Sequence, residues 1–462
     1  MNSADGIRPH TAKSIPSAPC AETWMVRAIL ALFMVVAFRA IHHNATNGQD
    51  IASHMANTKR LMAEPGKWFT NDTTFRPLLY WIGGWCVRFT KNAYGYQLAS
   101  IMFTLAGTAA LALLHDATRR VVTSPLLRVA GIALVAFLPL TVITTVIFAA
   151  DTVASLPFVL SGWAIMRCLE EDTESQAGKY AALAGFSLIV GNLSKATFMV
   201  LPAAVLLALL ALWRARRLTI RRAGMLVLLA VALPVTAGGL IMAKAARETA
   251  GAQLVHSFNW KGTGELTFRS LLGVKPSDRR VLDAPEYLAS AMNDAGIYYP
   301  LLVANNYSYP ALLHLGIFTD VLNFANDAVV PRPEPERTAA RWSVRLGLVF
   351  SVSALAAVLV FWIRTAFAFV RPDRMPSTAA LVWSCLAMAW FFPIAGALPF
   401  VDNPYIKGYW LPRLVMPAIW IFYLGLFAAA DRLPGRWPAR VAVLLATLVA
   451  VLSVQEIRSV WY

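Results

Sequence analysis

Apolar runs of about twenty residues recur along the chain, separated by short polar stretches. A bilayer core of about 30 Å needs roughly 20 apolar residues per helix. The pattern predicts spans near 24–41, 94–115, 125–148, 152–169, 180–194, 196–213, 223–245, 343–364, 378–400, 410–430 and 438–456. The run at 180–194 is short, which fits a tilted or partly re-entrant helix. Segment 77–93 is aromatic and apolar, but Arg88 and Lys91 interrupt it. It therefore reads as an interfacial or half-inserted helix. The first run follows a tail of about 23 residues and has no small-residue cleavage site behind it, so an uncleaved anchor is expected rather than a signal peptide. No internal repeat is visible, and the inverted-repeat plan of many transporters gains no support. The expected fold class is an all-α polytopic membrane protein with about 11–13 transmembrane helices, outward juxtamembrane helices and a large outward loop. Its expected parts are a tail (1–23), an N-terminal transmembrane module (24–245), a large outward loop (246–342) and C-terminal transmembrane helices (343–462).

Composition agrees. Of 462 residues 58% are apolar and 14% charged, where a soluble domain carries roughly 25% charged residues. There are 41 Lys and Arg against 25 Asp and Glu, a net charge of +16. In a soluble protein that excess would suggest nucleic acid. Here the basic residues cluster between apolar runs, so they read as topology signals and no nucleic-acid partner is expected. Alternate loops carry Arg119 and Arg120; Arg214, Arg216, Arg217, Arg221 and Arg222; Arg364, Arg371 and Arg374; and Arg432, Arg436 and Arg440. That face is expected to be cytoplasmic, together with the N-terminus, leaving 42–76 and 246–342 outward. The four cysteines (Cys20, Cys86, Cys168, Cys385) form no CxxC or paired spacing, so neither a disulfide framework nor a thiolate metal site is expected.

The two long outward segments can carry chemistry. In 42–76, polar and apolar residues mix at helical spacing from Asp50 to Leu61. Asp50 and His54 are four apart and share a helix face. Asp72 and Arg76 precede the return to the membrane at Pro77. A solvated loop with an incidental charge pair is the plain alternative. A divalent metal held by His42, His43, Asp50 and His54 is another, since imidazole and carboxylate suit zinc or manganese. Asp151 and Lys195 sit at outward helix ends. The first is explicable as part of a helix start and the second as a snorkelling lysine. Charges at membrane depth are nevertheless costly and tend to be functional. A lysine beside carboxylates can hold a phosphate while a carboxylate handles a proton. In the last outward hairpin, Lys407 and Tyr409 precede Arg413, which lies about one turn into the next span. Arg413 either reaches for headgroups or binds an anion.

Several of these features occur in a familiar order: an aspartate after the first span, RPLLYWIGG leading back to the membrane, DTVASLPFVLSGWAIMRCLEE, GNLSKATFMVLPA, and late in the chain GYWLPRLVMPAIWIFYLGL. Over most of residues 24–430 the chain resembles the GT-C superfamily of membrane glycosyltransferases, near the protein mannosyltransferases and aminoarabinose transferases. The resemblance implies transfer of a sugar from a polyprenyl-phosphate donor to a lipid, glycan or protein acceptor on the outer face of the membrane. It implies a catalytic or acceptor-positioning role for Asp50, and donor-phosphate contact by Lys195 within Lys195-Ala196-Thr197. The late family pattern fits at Tyr409 and Pro412, but Gly408 stands where an arginine is usual, with Lys407 or Arg413 as substitutes. Ile51 follows Asp50 where many relatives carry a second acid, a place Asp72 can take. The candidate site is thus Asp50 as the catalytic acid; Lys195, Arg413 and Arg76 at the donor phosphate; and His54, Asp72, Asp151, Tyr409 and Lys407 around the substrate. The competing functions are a polysaccharide polymerase or ligase, which would lean on Arg269, Arg279 and His256 in the large loop, and a transporter or flippase of a lipid-linked solute. Arg outnumbers Lys and alanine is abundant, which points to a bacterial plasma membrane.

Overall fold

In the computed structural model, residues 20–44, 49–64, 66–69, 76–91, 94–249, 309–319, 334–371, 376–397 and 411–457 are described. All regular structure among them is helical. The N-terminal part contains α1 (Cys20–Asn44), α2 (Gln49–Ala63), α3 (Pro77–Thr90), α4 (Gly95–Thr118), α5 (Pro125–Phe137) and α6 (Pro139–Val146). It continues with α7 (Ala150–Glu170), α8 (Glu174–Ser194), a 3₁₀ turn (Ala196–Val200), α9 (Leu201–Arg214), α10 (Ile220–Leu226), a π segment (Val227–Ala232) and α11 (Leu233–Glu248). Later come α12 (Tyr309–Phe318), α13 (Glu334–Val370), α14 (Thr378–Ala397), α15 (Leu411–Ala430) and α16 (Trp437–Glu456).

Local chemistry explains several boundaries. Proline sits in the first turn of α3, α5, α6 and α9, where its missing N–H costs nothing. Ser124 caps α5 by accepting from the Leu127 N–H, and Thr219 caps α10 by accepting from the Arg222 N–H. Leu138 precedes Pro139 and is extended (φ −55°, ψ 133°), as the proline ring demands of its predecessor. There α5 and α6 bend by 55°.

Among the described residues, every expected span is helical over most of its length. Among the described residues, eight helical stretches are long and apolar enough to cross a membrane, or nine if the bent α5–α6 pair is one span. The remaining two of the eleven expected spans are α8 and α14. The first is a 21-residue helix that falls outside this group, and the second includes the shorter apolar stretch Thr378–Phe392. The protein is an all-α polytopic membrane protein. The interfacial reading of 77–93 corresponds to α3, which buries Leu79, Tyr80, Gly83, Gly84 and Cys86 while leaving Trp85 and Phe89 exposed. The tail 1–19 and most of 246–342 lie outside the described residues.

The helices have two chemically different ends. At one, Arg128 holds Glu22 through two short bonds, Nε to Oε1 at 2.7 Å and Nη2 to Oε2 at 2.6 Å. Arg120 bridges Asp116 and Glu170, Arg222 donates to the Leu169 and Glu171 carbonyls, and Arg217 donates to the Pro376 carbonyl at 2.7 Å. Asp431 accepts from the Thr123 and Ser124 N–H groups. These bonds join the start of α1, α5, α10 and α14 to the finish of α4, α7 and α15. Part of the basic excess is therefore structural: Arg120 and Arg128 are buried in ion pairs rather than free to signal topology. The opposite end gathers α2, the start of α3, α7 and α15, and the junction between α8 and α9.

Candidate functional site

At this second end four charged side chains converge from distant parts of the chain. Asp151 lies in the first turn of α7, where the helix dipole favours a carboxylate. The turn leading into it is fixed by Thr152, whose hydroxyl donates to the Thr144 and Ile147 carbonyls. Lys195 is the extended residue that ends α8 (φ −161°, ψ 134°) before the 3₁₀ turn. Phe198 folds back over α8 so closely that a Cβ on Gly191 would lie 2.0 Å from its ring. Only glycine leaves that space, and this packing sets the direction in which the chain leaves α8.

Lys195 Nζ donates to Asp151 Oδ1 at 2.6 Å, across 44 residues. It also donates to the Leu414 carbonyl at 3.3 Å and lies 5.3 Å from the centre of the Trp390 ring. Trp390 is itself held, its indole N–H donating to the same Leu414 carbonyl at 2.8 Å. Phe158 and Phe198 meet the Trp390 ring edge to face. Arg413, in the first turn of α15, brings Nε to 3.9 Å from Asp151 Oδ2. Asp151 is 2% exposed, Arg413 3% and Lys195 8%, so these charges act on one another with little screening.

Arg76, the residue before α3, adds its charge to the field at both Asp151 and Lys195. Its Nη1 is 2.8 Å from His54 Nε2, and His54 Nδ1 is 3.3 Å from the Tyr80 hydroxyl. A guanidinium only donates. Nε2 must then accept, so the ring proton belongs on Nδ1. Three cations and one carboxylate thus converge among the described residues, with His54 tied to them through Arg76.

The structure brings together Lys195, Asp151, Arg413, Arg76 and His54 of the candidates named from sequence. Asp50 belongs to α2, as the helical spacing predicted, four residues before His54; its side chain lies outside the described residues, as do Asp72, Lys407 and Tyr409. Among the described residues no three His, Cys, Asp or Glu side chains stand together to hold a metal. Both ring nitrogens of His54 face protein partners instead; the side chains of His42, His43 and Asp50 lie outside the described residues. Sequence reasoning missed Trp390, Tyr80 and the Leu414 carbonyl. The two aromatics look like any other ring in an apolar helix, and a carbonyl carries no sequence signal.

No family model and no curated protein matches the chain. Among solved structures, it is similar to ArnT from Cupriavidus metallidurans bound to undecaprenyl phosphate, with a TM-score of 0.43 and 15% identity. It is likewise similar to the apo state of that protein, with a TM-score of 0.42 and 16% identity. Each match covers 95% of this chain and 78% of the other.

Proposed function

We propose that the chain is a membrane glycosyltransferase that moves a sugar from a polyprenyl-phosphate donor to an acceptor hydroxyl at the end of the helices opposite the arginine-rich loops. The single observation that carries this reading is the buried meeting of Asp151 and Lys195, from the hairpin of α7 and α8, with Arg413, from the much later α15. The motif resemblance described above supplies the reaction class.

Transfer with inversion requires two things. As the acceptor oxygen bonds to the anomeric carbon, its proton must leave, and Asp50 is the carboxylate assigned to take it. As the bond from the anomeric carbon to the phosphate oxygen breaks, the electron pair goes to the departing polyprenyl phosphate. Preorganised cations stabilise that charge best where water is excluded. Lys195 and Arg413 are assigned to this phosphate, with Arg76 at its edge. Asp151 holds Lys195 in place, and His54 steadies Arg76. Asp72, Lys407 and Tyr409 remain assigned to the substrate from sequence. The arginine-rich loops support an outward, periplasmic placement of this end, and the excess of Arg over Lys with abundant alanine supports a bacterial plasma membrane.

The test uses purified full-length protein, a synthetic polyprenyl-phosphate sugar with a fluorescent lipid, and membrane extract as acceptor source. Release of free polyprenyl phosphate by the wild type and its loss in Lys195→Ala is the expected result. Donor consumption unchanged in that variant overturns the assignment of the site.

A further inference from the structure

A second concave feature lies at the arginine end, away from the proposed site. It is a cavity of about 650 Å³ between the late part of α13, the start of α14, the end of α4 and the second half of α15. Its walls are apolar, with Leu114, Val358, Phe361, Ile421 and Leu424 among the lining residues. On α15 it begins at Ile421, eight residues past Arg413, about 12 Å along the helix axis. It reaches Arg432 and Leu433 beyond the end of that helix.

The mouth is cationic. Arg364 and Arg432 both line the cavity and both are exposed. Arg432 is braced by an Nη1 bond to the Ala428 carbonyl at 2.7 Å. The rim residue Pro376 carries Arg217 on its carbonyl. The neighbouring carboxylate, Asp431, is turned onto the start of α5, where Thr123 and Ser124 donate to it.

We infer that this cavity is a binding site for an anionic glycerophospholipid. Its acyl chains lie against α13, α14 and α15, and its phosphate sits between Arg364 and Arg432. Charge complementarity selects this occupant: apolar walls accept hydrocarbon, and two arginines lining the same cavity match a head group of net negative charge better than a zwitterionic one, whose own cation offsets its phosphate. The cavity is separate from the Lys195 cluster, so the inference stands or falls independently of the proposed activity.

The experiment uses the purified full-length protein in neutral detergent. Phosphatidylglycerol or phosphatidylcholine carrying a photoreactive acyl chain is added, and labelled peptides are mapped. Label should concentrate in residues 357–364, 380–384 and 421–429. Two arginines at about 1 kcal/mol each predict a preference for phosphatidylglycerol of tenfold or more, roughly. Arg364→Gln with Arg432→Gln should abolish the preference; both side chains are exposed, so the fold tolerates the change. Ala380→Trp, which fills the cavity, should block labelling by either lipid. Equal labelling of the wild type by the two lipids, a preference that survives in the double variant, or label concentrated elsewhere overturns the site. Displacement of the probe by polyprenyl phosphate more readily than by phosphatidylglycerol overturns the choice of occupant.

Discussion

At the scale of single residues, Lys195 is the centre of the candidate site. Its ammonium has an anion, a carbonyl and an aromatic face around it. Removing one charge-stabilising donor from such a site costs about 10²–10³ in turnover, and that is the loss expected for Lys195→Ala in a donor-release assay. Asp151→Asn should act differently. It leaves a lysine buried without its counter-charge, which typically destabilises by about 3–5 kcal/mol, so its first readout is a lower melting temperature. The pair Asp151→Leu with Lys195→Met should recover part of that stability, since Arg413 still loses its carboxylate, and no activity. A double variant as unstable as the sum of its singles would show that the two groups are not coupled. For Asp50→Asn the expectation is intact folding with transfer reduced by about 10²–10⁴; wild-type turnover in that variant would remove the base from the mechanism. Lys195, Asp151 and Arg413 were legible in the sequence because a charge inside an apolar stretch is conspicuous. Trp390 was not, since its role depends on a carbonyl twenty-four residues away.

At the scale of elements, the placement of Lys195 depends on the sharp exit from α8. A methyl group at Gly191 cannot coexist with the Phe198 ring in its present position. Overpacking of this kind costs about 1–3 kcal/mol. Gly191→Ala is therefore expected to lower the melting temperature and turnover together, and Phe198→Leu should restore part of both by making room. Failure of the second change to help would mean that the junction, not the ring, sets the exit. A similar restriction holds where α3 meets its neighbours: a Cβ on Gly83 would fall 2.4 Å from the Phe148 ring. The motif RPLLYWIGG marked this segment in the sequence, but its physical content is the close approach of α3 to the chain just before α7. The helix 49–63 was legible from spacing alone. The bend at Leu138 is less legible: the run 125–148 is long enough for one straight span, and only Pro139 marks the break.

For the whole molecule, the alternation of ends is the strongest statement. Arginines and their ion pairs occupy one end and the Lys195 cluster the other, and this much followed from counting basic residues between apolar runs. Among the described residues α8 is not apolar enough to pass as a span by hydropathy, yet it packs closely against α7. Orientation can be measured directly. Lys59 and Arg436 are exposed on opposite ends. With single cysteines at these positions, a membrane-impermeant maleimide applied to intact cells should modify Lys59→Cys at once and Arg436→Cys only after permeabilisation. The reverse result inverts the topology and with it the side on which substrate is met.

The contact between Asp151 and Lys195 also bears on how the chain enters the bilayer. Both residues belong to one hairpin, α7 and α8, made long before Arg413 is synthesised. A charge at the centre of a span burdens insertion by about 3 kcal/mol, and one near a span end by less. Coming from the ribosome as neighbours, they can neutralise one another during integration, and the arginine joins only when the last helices are threaded. The pair at the heart of the charge cluster thus also eases its passage into the bilayer.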